Sequence, residues 1–327
     1  MRIIAVPTGL ALLAGGIVFA APAHAAVRTT LTIKVAAAPA YIGDEVTVTG
    51  KLTGTGGKAL GRRDILVNVA GKRQIVETNG QGLYIAELRV PQSGVFTADF
   101  FGDSSYDEST ATSPYYSVRY RTGIDGFTAK PRPVAQNKPI NISGRVYRVG
   151  LAGRVALAGA SLDLLFSPDG QNWSHVASGA ADGKGKFRFA PTVAQDGTWL
   201  VVAAGNPAAD GWAQTERKIW VDSRYPTRLS ASATPKKVRY KGKVRVHGSL
   251  GHKVDGVWAA LGRVHVGVYF RAKGSSKWTF KANAWVGANG KYSKKFTAHR
   301  DGYWRAVYKG TGADFKVTSG KTFVDVR

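Results

Sequence analysis

Between Gly94 and Gly102 apolar and polar residues alternate, with Phe96, Ala98 and Phe100 falling on one side of an extended chain. A period of two with glycine at both ends predicts a strand that buries one face and turns at each end. The same run returns as Gly197-Thr-Trp-Leu-Val-Val-Ala-Ala-Gly205 and as Gly302-Tyr-Trp-Arg-Ala-Val-Tyr-Lys-Gly310, each with an aromatic two residues after the first glycine. A second alternating stretch, read as a strand ending in glycine, occurs as Glu45-Val-Thr-Val-Thr-Gly50, Pro139-Ile-Asn-Ile-Ser-Gly144 and Lys243-Val-Arg-Val-His-Gly248. A Gly-x-aromatic step follows in each copy, at Tyr84, Phe187 and Tyr292. From second copy to third these landmarks move together by about 105 residues (Gly144 to Gly248, Gly185 to Gly290, Gly197 to Gly302), while the first copy is shorter in its middle. A period near 100 exceeds the roughly 20 to 50 residues of a solenoid repeat and points to tandem domains.

Each copy holds about seven short alternating stretches separated by turn residues, and no stretch keeps a helical apolar spacing, so the predicted class is all-β with three tandem antiparallel sandwiches. The expected boundaries are 26–122, 123–223 and 224–327. In the first copy the predicted core alternates through Val46, Val48, Ile65, Val67, Val69, Tyr84, Ala86, Leu88, Phe96, Ala98, Phe100, Tyr116 and Val118. The connectors, residues 120–126 and 222–227, are short enough to predict a semi-rigid row of domains. Pro39, Pro131, Pro133 and Pro235 suit edge positions, where a missing backbone donor does no harm.

The start of the chain breaks this pattern. Residues 1–25 combine an early Arg2, an uncharged run and Ala23-His24-Ala25, the features of a secretory signal peptide with a small-residue cleavage site. A retained membrane anchor is the rival reading, weakened by Gly9, Gly15, Gly16 and Pro22. The sequence has no cysteine, so disulfides, thiolate metal sites and a lipid-modified cysteine are excluded. A secreted, extracellular protein, free or associated with the cell wall, is expected.

The end of the first copy, Ala98-Asp-Phe-Phe-Gly-Asp-Ser-Ser-Tyr-Asp-Glu-Ser-Thr110, resembles the closing motif of bacterial Ig-like domains, in which an aromatic strand is followed by Gly-Asp, a Tyr and a Ser or Thr. The third copy matches in part, through Tyr308-Lys-Gly310 and Ser319, and the second weakly. The resemblance implies a sandwich repeat of secreted and surface proteins and brings no active-site residues with it.

Charge changes the picture more than composition does. The net charge of +25 is carried mostly by residues 224–327, where 23 Lys and Arg face 4 Asp and leave +19, against +2 for 26–122 and +3 for 123–223. A net charge of about 2 to 8 already keeps a small domain soluble, so the excess asks for another reason. Lys241, Lys243 and Arg245 alternate with Val244 and Val246, Lys277 and Lys281 flank Trp278 and Phe280, and Lys294 and Lys295 follow Tyr292. Alternation predicts an outward cationic face, and such a face attracts polyanions through many weak contacts with counterion release. The expected partner is an anionic cell-wall polymer or an acidic polysaccharide. A sequence-specific reader of nucleic acid would show a recognition element, and none is visible. Trp304 and Trp278 occupy repeated positions and are expected in the core, whereas Trp258 and Trp285 lack counterparts and are candidates for stacking on a ligand.

Other chemistry is thinner. Asp99, Asp103, Asp107 and Glu108 form an acidic cluster that could hold calcium, but its spacing fits no EF-hand, and Asp103 and Ser105 belong to a turn; Asp103 and Asp107 are the only metal candidates. No Gly-x-Ser-x-Gly, His-Glu-x-x-His or phosphate-cradling glycine loop occurs, and no cofactor is expected. The histidines of the last copy, His247, His252, His265 and His299, show no pattern of partner carboxylates. The reading that follows is a non-enzymatic binding protein with two spacer domains and a basic attachment domain. The alternative is an extracellular enzyme, or a carbohydrate-binding module attached to one, whose site the sequence does not reveal.

Overall fold

The computed structural model describes residues 26–37 and 40–327, so residues 1–25, where a signal peptide is expected, and Pro39 lie outside the described residues. The described residues form strands, turns and one short 3-10 turn, with no α-helix, and among them no helix is long and apolar enough to cross a membrane. Two compact units appear. One joins residues up to Ala40 with Asp44–Ser117, and the other joins Tyr41–Gly43 with Val118–Arg327.

In the first unit the strand Glu45–Gly54 pairs with Thr29–Leu31, Lys34–Val35 and Leu83–Arg89, while Asp64–Val69 lies between Lys72–Glu77 and Phe96–Phe100, with Ser109–Thr112 beyond. Two antiparallel sheets with this crossover order make an immunoglobulin-like sandwich. Its predicted core residues are all buried, from Val46 and Val48 to Tyr116, with Val118 buried too.

The second unit repeats the order and contains two separate hydrophobic clusters. One runs from Ile124 to Val221 around Leu164, Trp199 and Val201, under sheets centred on Asn141–Gly150 and Ser161–Ser167. The other runs from Ala233 to Val324 around Val246, Val268 and Trp304. Around this last core the strands Lys243–Val254 and Lys291–Thr297 belong to one sheet, and Thr279–Val286, Val264–Ala272, Gly302–Tyr308 and Thr322–Val326 to the other. A single cross-strand pair, Val286 with Tyr292, links the two at a corner.

The repeated landmarks find their cause here. Gly50, Gly144 and Gly248 do not end strands; each sits inside a long one, directly opposite the repeated aromatic, as Gly50 with Tyr84, Gly144 with Phe187 and Gly248 with Tyr292. The aromatic ring folds over the glycine, and a Cβ at Gly50 would lie 2.4 Å from the Tyr84 ring. In the first and third copies the ring ends in a hydroxyl that donates to a backbone carbonyl, Tyr84 to Thr32 at 2.8 Å and Tyr292 to Ser230 at 2.6 Å. Trp304 packs at 4.9 Å from both Phe270 and Phe296, in the core as expected.

The connectors differ from expectation. Most of residues 120–126 lies in the strand Arg121–Lys130, paired with Asn141–Gly150, and Ser223–Arg224 pairs in parallel with Val134–Ala135, because backbone N–H and C=O groups next to a sheet gain by joining its ladder. Pro131, Pro133 and Pro235 lie between strands, not on edges, where no ladder bond is forfeited.

Candidate polyanion-binding face

The strand Lys243–Val254 turns Val244 and Val246 into the core, so Lys243 and Arg245 point outward. Its partner strand brings Lys295 opposite Arg245, Ser293 opposite His247 and Lys291 opposite Ser249. On the other side Thr234 pairs with Arg245. Two cations directly opposite one another repel, a cost that folding alone gives no reason to accept. The strands form a groove of about 840 Å³ whose lining includes Lys243, Arg245, His247, Lys291, Lys295 and Trp285. Among the described residues, no Asp or Glu lines it. Lys243 Nζ donates to Thr297 Oγ1 at 2.8 Å, which holds the ammonium over the sheet. Trp285, one of the lining residues, is 54 % exposed, with its ring edge-on to His265 at 4.9 Å. Beneath, burial pushes the Tyr292 hydroxyl up and keeps it a neutral donor to Ser230.

Three of the seven cations expected on this face, Lys243, Arg245 and Lys295, line the groove; the other four are placed elsewhere. Lys241 sits in the turn before the strand, exposed at φ +64°, where the chain reverses ahead of Gly242. Lys294 stands opposite Val246 on the inward face and escapes burial by reaching the sheet edge, where Nζ donates to the Asn283 carbonyl at 2.8 Å. Adjacent residues of a strand cannot share a face, so Lys294 and Lys295 part. Lys277 lies in a loop, its amide donating to Ser275 Oγ at 3.1 Å. Lys281 falls at a bulge between Ala282 and Phe280, with Nζ 5.6 Å from the Phe270 ring centre.

Of the tryptophans, Trp258 is 39 % exposed but outside the groove, with the Arg228 guanidinium 4.5 Å above its ring. Trp278, expected in the core, is half-buried on the outside of the other sheet, because it precedes the strand Thr279–Val286 and folds back over that surface. There the Arg305 guanidinium lies 4.0 Å from its ring centre and Arg271 5.2 Å. His247 and Lys291 were not singled out by charge alone, although the same alternation that exposes Arg245 and Lys295 exposes them. The Arg-aromatic stack had no readable signal, since it joins Arg271 and Arg305 from two strands to Trp278 from the loop before a third.

The acidic residues are occupied elsewhere. Asp103 accepts the backbone N–H groups of Ser105 and Tyr106 at 2.8 and 3.0 Å and pairs with Arg63 at 2.9 Å, so its oxygens serve the turn. Asp99 accepts from Thr110 Oγ1 at 2.7 Å. Among the described residues no group of three or more His, Asp or Glu is arranged to hold a metal. In the last copy Asp301 meets Lys273, Asp325 meets Arg327 and Asp255 accepts from Gln136. His252 does have a carboxylate partner, contrary to the reading of the histidines: Nδ1 lies 2.8 Å from Asp314, a contact between positions 62 residues apart that alternation could not show.

No protein-family model and no curated protein matches the chain. Solved structures that it is similar to include one from a study of host cell surface retention of a 1.5-MDa bacterial ice-binding adhesin, at 16 % identity over 92 % of this chain and 98 % of that one, with a TM-score of 0.30. An Escherichia coli adhesin aligns at 13 % identity over 91 % and 96 %, TM-score 0.31, and a fragment of titin domains at 10 % over 92 % and 100 %, TM-score 0.44. At such identities and TM-scores the likeness says nothing of what this chain binds.

Proposed function

We propose that the chain is a secreted or surface-held, non-enzymatic binding protein of three Ig-like domains, bounded near residues 122 and 223. In this reading the last domain attaches to an anionic cell-wall polymer or an acidic polysaccharide, and the first two act as a spacer. The groove carries it: Lys243, Arg245, Lys291 and Lys295 converge beside an exposed tryptophan with no carboxylate among the lining residues. Such an arrangement holds phosphates, sulfates or carboxylates by displacing counterions, with little demand on their exact placement. The strong imbalance of 23 basic to 4 acidic residues in 224–327 supplies the long-range field that draws a polyanion in.

The test is titration of the mature chain with wall teichoic polymer and with heparin at two salt concentrations, beside the double variant Lys243→Glu/Arg245→Glu. Log affinity is expected to fall linearly with log salt, by about 0.7 to 0.9 per contact on nucleic acid standards, and the variant to bind weakly with a shallower slope. Affinity that ignores salt, or a variant that binds like the parent, refutes the assignment.

A further inference from the structure

The outer face of the sheet next to the groove carries an unusual row. His265 and Trp285 are cross-strand partners, then Tyr269 stands opposite both Phe280 and Arg305, then Arg271 opposite Tyr303, which is in turn opposite Phe323. All point away from Val266, Val268 and Phe270, which fill the core. Cations sit over the rings: Arg305 at 4.0 Å on Trp278, Arg271 and Lys321 each at 4.9 Å on Tyr303, and Lys273 at 5.9 Å on Phe323.

Two features separate this row from an ordinary solvated surface. Arg271 and Arg305 are held by aromatic faces and make no salt bridge among the described residues, so their charge is fixed in place yet not neutralised. Their Nε atoms are buried without a hydrogen-bond partner, which leaves the outer guanidinium N–H groups to face whatever lies on the sheet. The row is also continuous with the groove, because Trp285 lines the groove and touches His265 at the head of the row. At its far end lies a second hollow of about 610 Å³, where Lys236, Lys237, Lys273 and Lys321 gather beside Asp301 and Asp325.

We infer that this face extends the groove into one track for a single extended chain, and that the chain is an acidic polysaccharide. The inference rests on the groove reading above. From His265 to Arg271 the row covers six residue-to-residue steps of strand, about 20 Å at roughly 3.4 Å per step. Carboxylates or sulfates spaced along a glycan meet Arg305, Arg271 and the lysines beyond, while the apolar faces of its sugar rings rest on Trp285 and Phe280, which are 54 % and 50 % exposed. Single-stranded nucleic acid fits less well, because base stacking needs a succession of open ring faces, and those of Trp278 and Tyr303 already carry cations.

The experiment uses the mature chain with heparin-derived oligosaccharides of graded length, inorganic polyphosphate of matched charge, and single-stranded DNA. Affinity rises at least tenfold as the oligosaccharide lengthens by about 20 Å beyond what the groove alone accommodates. Phe280→Ser and, separately, Arg271→Gln/Arg305→Gln remove that increment and leave binding of the shortest oligosaccharide unchanged; Phe280 is half exposed, so its replacement leaves the core intact. Lys243→Glu/Arg245→Glu weakens every length. If short oligosaccharides ignore the Lys243→Glu/Arg245→Glu change, the groove reading fails, whether or not length matters. If groove variants weaken binding but the length increment is absent or survives Phe280→Ser and Arg271→Gln/Arg305→Gln alike, the track fails alone. Polyphosphate or DNA binding more tightly than the glycan of equal charge overturns the ligand class.

Discussion

Gly248→Ala tests whether the repeated glycine exists to let the aromatic ring and a backbone carbonyl close over the strand. A Cβ at this position would lie 2.1 Å from the Ser230 carbonyl oxygen and 2.8 Å from the Tyr292 hydroxyl, where ordinary contact begins near 3.4 Å. The side chain cannot rotate away from a backbone atom, so the segment at Ser230 must retreat by on the order of 1 Å, as overpacked cores do. That movement pulls at three hydrogen bonds: Ser230 N–H to the Ser249 carbonyl at 2.9 Å, Ser249 N–H to Ser230 Oγ at 2.8 Å, and Tyr292 to the Ser230 carbonyl at 2.6 Å. Overpacking costs about 1 to 3 kcal/mol, and because the retreat here also stretches hydrogen bonds without breaking them, a loss at the upper end, near 3 kcal/mol, is expected. Gly144→Ala is the control, since its nearest neighbour is the Phe187 ring at 2.8 Å and the backbone stands back at 3.2 Å. Phe187 has no hydroxyl to keep in place, so about 1 kcal/mol is expected there. Urea denaturation followed by tryptophan fluorescence reads both, because Trp304 and Trp199 are buried in the respective cores. Strand propensity alone would make alanine the better residue by about 0.5 to 1 kcal/mol. A Gly248→Ala protein as stable as the parent, or a Gly144→Ala loss of equal size, would refute the ring-over-glycine account.

Burial pushes the Tyr84 hydroxyl up to about 12 from its ordinary value near 10. A folded value above the unfolded one means its contribution is complete below about pH 10 and is lost as pH rises through about 12, roughly 3 kcal/mol in all; Tyr84→Phe removes that share of the alkaline loss, which denaturant titrations at pH 9 and 11.5 compare. Trp304→Ala is expected to cost about 3 to 5 kcal/mol by urea denaturation, and a loss under about 1 would contradict its packing against Phe270 and Phe296. A fragment of residues 224–327 is expected to melt cooperatively with a β-type circular dichroism spectrum, and a disordered spectrum would refute the proposed boundary.

What the sequence disclosed and what it hid divide along one line: alternation tells which residues share a face, but not where a strand begins or what covers the face. Val46, Val48, Phe96 and Phe100 were legible because each apolar residue two apart has the same fate on a half-buried sheet. Lys243 and Arg245 were legible for the same reason, read from the opposite face. Lys241 obeys the same spacing yet lies in a turn, since alternation continues in the sequence past the point where the ladder stops. Lys294 and Lys295 were grouped by proximity in sequence, and the pleat sends them to opposite faces. Trp278 shows the remaining gap: its position matches Trp173, but Trp173 is half-buried too, with Lys218 5.3 Å from its ring centre. Repetition of an aromatic therefore marks a shared environment without saying whether that environment is core or outer face. In both copies the partner that fixes the answer is a cation from another strand, Lys218 in one and Arg305 in the other. The two copies differ in what surrounds that tryptophan: a single lysine in the second, and in the last two guanidinium groups, Arg305 and Arg271, within a region where 23 basic residues face 4 acidic ones.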